Sequence, residues 1–190
     1  MFAQQHFVLM DFNVTKTEKY VNMADIISAH ELGDSETLAL IELLFFAYRD
    51  FVSDPDELLA EIGFGRAHHR VVHFVGRDPG MTVAQLLDIL RITKQSLGRV
   101  LKELIDKGYI FQKEGENDRR QRLLHLTAQG EELRQRLMAP QMARIRRALS
   151  QSGIDAGHHY RTVLYHLVSP ENRQSVRDWI AKASVIGGED

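Results

Sequence analysis

Four cationic or amide side chains fall at helical spacing in one short stretch of this chain: Lys94, Gln95, Arg99 and Lys102. Lys94 and Lys102 lie at i and i+8 with Gly98 between them at i+4, and Gln95 and Arg99 are i, i+4 beside them. The opposite face carries Leu97, Val100, Leu101, Leu104 and Ile105, so the segment is greasy on one side and cationic on the other. Gln and Arg can pair bidentately with base edges in a major groove, while Lys neutralises phosphate. Gly98 costs ~1 kcal/mol in a helix interior relative to Ala, and close approach of the backbone to a nucleic acid would account for it. Taken alone, the pattern also suits any amphipathic surface helix. A second cationic element follows: Asp118-Arg119-Arg120 in a polar loop that starts at Glu114. An arginine on such a loop can enter a narrow minor groove, where negative potential is enhanced. Asp118 has the wrong sign for that contact, and its role is to orient an arginine or to cap the turn. A helix of this kind followed directly by a basic hairpin is far more specific than either part.

A different chemistry is suggested by the histidines. His69 and His73 are i, i+4 on one predicted helix with His68 adjacent, and His158, His159 and His166 lie near the C-terminus. A metal or haem site can be built from such a set, the alternative being that the imidazoles cap, stack and hydrogen-bond within helical packing. The chain has no cysteine, which removes disulfides, thiolate catalysis, thiol redox sensing and Cys-ligated zinc. No phosphate loop, dinucleotide glycine fingerprint, Gly-x-Ser-x-Gly elbow or His-Glu-x-x-His is present, so the sequence does not read as an enzyme. No cofactor is expected, with metal or haem kept as the alternative.

The formal net charge of −2 conceals a strong asymmetry. Residues 31–61 hold nine acids against Arg49 alone, a balance of −8, whereas residues 91–122 hold nine bases against five acids, a balance of +4. Only one region therefore suits a polyanion. The greasiest stretch, Leu38 to Ala47, is interrupted by Glu42 and is too short for a membrane span, which needs about 20 residues. Nothing at Met1-Phe2-Ala3-Gln4-Gln5 resembles a signal peptide, and a cytoplasmic protein is expected. Met23 is an alternative to Met1 as the start.

These residues need elements to position them. Ser35 opens a helix carrying Leu38, Ile41, Leu44, Phe45 and Tyr48; Asp54-Pro55-Asp56-Glu57 opens a short one, with Asp54 as its cap and Pro55 at the first position. The pattern predicts a helix from Arg66 to Gly76, then a capping box at Thr82 and Gln85 with Val83, Leu86, Leu87 and Leu90 following. The break at Arg91-Ile92 is short, and Thr93 starts the cationic helix, which Gly108 ends. Two tightly joined helices make a helix-turn-helix. Tyr109-Ile110-Phe111 and Leu123-Leu124-His125-Leu126 predict a hairpin. Thr127 then caps a long helix with a kink expected at Pro140, and two helices follow, Tyr160 to Val168 and one opened by Ser169-Pro170.

Residues 66–130 resemble the core of the MarR (multiple-antibiotic-resistance regulator) family of winged helix-turn-helix transcription regulators. The matching stretches run from Thr82 to Leu87, Thr93 to Arg99, Leu104 to Ile110, Asp118 to Arg122 and Leu126 to Gly130, the last as Leu-Thr-x-x-Gly. Residues 46–51 and 63–69 also resemble the PetP-like subgroup.

The resemblance implies a mainly α fold with a small β-hairpin wing and helical dimerisation extensions. It implies a homodimer that binds a pseudo-palindromic operator in double-stranded DNA, with no membrane partner. Carried onto this chain, the reading residues are Thr93, Lys94, Gln95, Ser96 and Arg99, with Lys102 beside them and either Arg119 or Arg120 entering the minor groove. It also implies an unknown small-molecule effector between the dimerisation helices and the DNA-binding arm, with Tyr48, His68, His69 and His73 as the candidate pocket. The expected organisation is an extension over 1–34, dimerisation helices over 35–65, a winged core over 66–127, dimerisation helices over 128–184 and a tail over 185–190. The competing readings are a winged-helix protein–protein module and a metal- or haem-responsive regulator built on the histidines.

Overall fold

The computed structural model describes residues 32–115 and 118–186. The extension before residue 32, both candidate start residues and the last four residues of the tail lie outside the described residues. Two compact units meet within one helix: the first ends at Phe46 and the second begins at Ala47.

Helix α1 (Asp34–Ser53) starts one residue before the predicted Ser35, with the Gly33 N–H donating to Glu36 Oε2 at 3.3 Å. Its apolar residues do not build a core: none of α1 is buried. Helix α2 (Asp56–Glu61) is also where the sequence places it, but Asp54 is not its cap. Pro55 occupies that position with no side-chain bond, and the Asp54 carboxylate is held instead by Arg144 at 2.5 and 2.7 Å. That guanidinium outcompetes a backbone N–H for the carboxylate and holds its pKa below the usual range.

The core belongs to the second unit. Helix α3 (Arg66–Arg77) contributes Val71, Val72 and Val75, all fully buried. Strand β1 (Met81–Thr82) leads into α4 (Val83–Leu90), which buries Leu86. The predicted capping box is present: Gln85 N–H donates to Thr82 Oγ1 at 3.2 Å and Thr82 N–H to Gln85 Oε1 at 2.8 Å. Helix α5 (Lys94–Asp106) turns Leu97, Val100, Leu101 and Leu104 inward, as its apolar stripe requires. Strands β2 (Ile110–Glu114) and β3 (Arg122–Leu126) pair antiparallel with Ile110 opposite Leu126, and they bury Ile110 and Leu124. Strand β1 adds to β3 with Met81 opposite Leu124, giving the order β1-β3-β2. This third strand was not expected, because two residues are too few to show an alternation.

Helix α5 ends in a Schellman arrangement: Gly108 adopts φ +77°, its N–H reaches Ile105 O at 3.0 Å, and Tyr109 N–H reaches Leu104 O at 2.9 Å. Helix α6 (Ala128–Gln151) begins on the same spot. The Thr127 hydroxyl donates to Gly108 O at 2.7 Å and accepts from Gly130 N–H at 3.0 Å, while Thr127 N–H donates to Tyr109 O at 3.1 Å. A Cβ at Gly130 would overlap the Tyr109 carbonyl oxygen and lie 3.1 Å from its carbon. The Leu-Thr-x-x-Gly stretch is thus a weld between the turn that ends α5, Tyr109 just before β2, and the start of α6.

Helix α6 runs unbroken through Pro140, so the expected kink does not divide it. It packs Leu133 and Leu137 into the core, and the buried Gln141 donates to Phe51 O at 3.0 Å. Helix α7 (Ala156–Leu167) begins four residues before the predicted Tyr160. A 3-10 turn (Pro170–Asn172) then opens α8 (Arg173–Ile186) where Ser169-Pro170 predicted a start.

Candidate nucleic-acid interface and effector pocket

The three-residue linker between α4 and α5 places Arg91 at φ 52°, the single non-glycine residue in the left-handed region among the described residues. Thr93 follows at once as the N-cap of α5: its Oγ1 accepts from Ser96 N–H at 3.2 Å and its hydroxyl donates to Ser96 Oγ at 2.9 Å. Two of the predicted reading residues, Thr93 and Ser96, therefore spend their side chains on starting the helix. Lys94, Gln95 and Arg99 are exposed, and their side chains have no hydrogen bond or ion pair among the described residues. Lys102 is exposed too, but its ammonium pairs with Asp106 one turn on. A Cβ at Gly98 would meet nothing within 4 Å. Among the described residues no packing asks for glycine there.

The hairpin tip has its own economy of charge. Arg122 pairs with Glu114 across the strands at 2.8 Å, and Arg120 N–H donates to Asp118 Oδ1 at 2.9 Å. Of the two roles open to Asp118 in the sequence, the geometry is that of a turn cap. The side chains of Arg119 and Arg120 are exposed and unpartnered among the described residues. The resulting set of uncommitted groups is Lys94, Gln95 and Arg99 on one element and Arg119 and Arg120 on the next.

The candidate effector residues divide. Tyr48, His69 and His73 line one cavity of about 260 Å³, together with Arg66, Arg70 and Gln141. His68 does not join them. Its ring stacks on Phe64 at 4.4 Å, accepts from Gly65 N–H at Nδ1 (3.1 Å) and meets Glu103 at Nε2 (2.8 Å). Because Nδ1 accepts, Nε2 carries the proton and donates to the carboxylate. His68 is a strut from α3 to the last turn of α5; a helix advances about 100° per residue, so a neighbour of His69 must face elsewhere. Sequence spacing missed this role because Glu103 is 35 residues away.

His69 and His73 are both held as neutral bases. Burial pushes the His69 pKa down, helped by Arg70. Burial and then His69 and Arg134 bring His73 to about 4. Its Nδ1 is buried without a hydrogen-bond partner. Among the described residues no group of three or more His, Asp or Glu side chains is placed to hold a metal ion, and His158, His159 and His166 all sit on α7. No helix among these residues is long and apolar enough to cross a membrane.

A testable consequence follows for acid stability. An unfolded chain takes up a proton at His73 near pH 6.5, the folded one only near 4, so stability is full above pH 6.5 and falls through that window. The drop expected from this group is up to ~3 kcal/mol. His73→Leu should flatten the melting temperature between pH 6.5 and 4.5 and leave it unchanged or higher at pH 7.5, since an orphaned nitrogen is removed. A wild-type pH slope that persists undiminished in the variant would contradict this account.

The arrangement has relatives. A model described as the MarR family matches residues 62–121. The chain is 44% identical over 143 residues to the HTH-type transcriptional regulator PetP of Rhodobacter capsulatus, covering 75% of this chain and 86% of that protein. The fold resembles that of FabT from Streptococcus pneumoniae, solved in complex with DNA, with TM-score 0.62 and 20% identity over 75% of this chain and 98% of that one. It also resembles a putative MarR family regulator from Listeria monocytogenes complexed with 26mer DNA, with TM-score 0.58 and 20% identity over 79% and 95% of the two chains. Carrying the helix-turn-helix, the paired strands of a wing and a close PetP relative, the chain belongs to the MarR family of transcriptional regulators.

Proposed function

We propose that the protein is a homodimeric, sequence-specific DNA-binding regulator that reads a pseudo-palindromic operator with α5 and the wing. The observation that carries this reading is the uncommitted face of α5. Lys94, Gln95 and Arg99 are exposed and unpaired among the described residues, and Gly98 between them has open space where a Cβ would sit. Their neighbours Lys102, Arg122 and Asp118 are engaged internally, so the free groups are the ones a groove would use. Gln95 and Arg99 supply base-edge contacts, Lys94 a phosphate contact, and Arg119 or Arg120 the minor-groove insertion. Thr93 and Ser96 act by fixing the start of the helix that presents them. Catalysis plays no part in this reading, and the site of action is the cytoplasm.

Residues 35–65 and 128–184 form the dimer and residues 66–127 the reading head. Support comes from the apolar residues these helices leave exposed: Leu38, Ile41, Leu43 and Phe45 of α1 are 56–62% exposed. Helix α7 leaves Val163 and Leu167 in the same state. Large apolar side chains exposed in such number on one helix mark an association site. The effector site is the cavity beside Tyr48, His69 and His73, where two neutral imidazoles and the cationic Arg70 favour a small ligand able to accept and donate hydrogen bonds.

Titration of the protein onto a duplex from its own upstream region tests both claims. The expected stoichiometry is two chains per site. With about eight free cations in a dimer, half or more on phosphate, log Kobs should fall against log salt with a slope of about −4 to −7. A salt-insensitive interaction, or none, would favour a winged helix used for protein contact.

A further inference from the structure

The last helix, counted from its opening 3-10 turn, touches α3 and the α4–α5 turn of its own chain at three separate points. At its start, the Arg91 guanidinium donates to Asn172 Oδ1 at 3.0 Å, across 81 residues of sequence. Near its middle, Trp179 packs on Phe74 with ring centroids 5.7 Å apart. Further on, the Lys182 ammonium lies 3.3 Å from the carboxylate of Asp78, the residue that ends α3. Between these points a groove of about 710 Å³ separates α8 from α3 and α4. Helix α8 is thus attached by discrete contacts rather than by continuous packing, and such exposed polar contacts fix geometry more than they add stability.

Arg91 is where this attachment matters. It sits in the left-handed region at the turn of the helix-turn-helix, its Nε bonds Asp88 O at 3.0 Å, and Thr93, the cap of α5, is two residues away. A shift at Arg91 has almost no chain in which to be absorbed before it reaches Lys94 and Gln95. The other end of the contact, Asn172, opens α8 just after α7, whose apolar residues are bare.

We propose that α8 is a clasp on the reading head, with Arg91 and Asn172 as positioning residues that set the half-site spacing the dimer accepts. This rests on the DNA-binding dimer reading above. A dimer reads two half-sites about one helical turn apart, so the separation and angle of its two reading helices become a spacing rule on the DNA. The Arg91–Asn172 bond ties the N-terminus of the reading helix to a segment assigned to the dimer, and an effector or a dimer rearrangement that moves α8 would be felt at Lys94.

The test uses the full-length protein and a duplex that the wild type selects from a random pool, its half-sites then re-spaced one base pair at a time. The wild type should lose about tenfold in affinity for a one-base-pair change. Asn172→Ala should flatten this to within about threefold, with affinity for an isolated half-site unchanged. Asn172→Asp, which keeps the acceptor, should restore the sharp preference. In the DNA-free protein, Asn172→Ala should also speed hydrogen exchange at Ser96 and Leu97, whose N–H groups bond Thr93, and leave Leu104 unaffected. Unchanged exchange there, a spacing preference as sharp as the wild type's, or an equal loss on the isolated half-site would overturn the clasp. A wild type that selects no duplex while exchange responds as expected would sink the DNA reading and keep the contact.

Discussion

Replacing Gly130 by alanine is expected to lower the melting temperature by about 6–12 °C, from ~3 kcal/mol of overpacking in a chain of this length. The added methyl would overlap the Tyr109 carbonyl oxygen and sit 3.3 Å from Leu126 Cβ. Neither neighbour is a flexible side-chain end. The carbonyl accepts from Thr127 N–H, and Thr127 caps α6 through its hydroxyl, so relief by moving the backbone breaks the weld itself. The same substitution at Gly98 should act in the opposite direction, raising the melting temperature by about 2–4 °C. There a Cβ meets nothing within 4 Å, and the helix gains up to ~1 kcal/mol of propensity. Its penalty should fall on DNA affinity, where the methyl group stands between α5 and the groove. Equal melting shifts for the two variants would show that contact geometry is not what places these glycines.

The second large effect concerns reading. Arg99→Ala should cost ~1–3 kcal/mol, about a 5-fold to 150-fold loss, and should relax preference at one base pair of each half-site. Arg119→Ala should weaken binding to all sequences more evenly and lower the salt slope by about one for each arginine lost from phosphate. The difference follows from where the groups lie. Arg99 projects from a helix held rigid by Leu97, Val100, Leu101 and Leu104, so its guanidinium is presented in a fixed place. Arg119 sits at a hairpin tip whose cap, Asp118, holds the backbone of Arg120 and leaves the arginine side chains free. The comparison is a footprint and a base-by-base selection on each variant. Identical footprints and logos for wild type and both variants would move the reading surface away from α5 and the wing.

Much of this was written in the chain at short range. The stripe Leu97, Val100, Leu101, Leu104 determined which face of α5 turns inward, and Thr93 and Thr82 marked helix starts, because caps and periodicity are satisfied within four residues. The order of helix, helix and basic hairpin, joined by Leu126-Thr127-x-x-Gly130, identified the family type on local patterns alone. What the tertiary structure decided lies in pairs distant along the chain. Asp54 reads as a helix cap until Arg144, 90 residues on, takes its carboxylate. His68 reads as a pocket residue until the helical turn directs it to Glu103 while His69 and His73 line the cavity. Strand β1 exists because β3 offers it partners at Leu123 and Leu124. Arg91 carries no signal of its own, and only the return of the chain at Asn172 makes it a contact point. Local hydrogen bonds and periodicity are properties of a segment, whereas the choice among competing partners for one charged or aromatic group is settled by which distant segment arrives beside it.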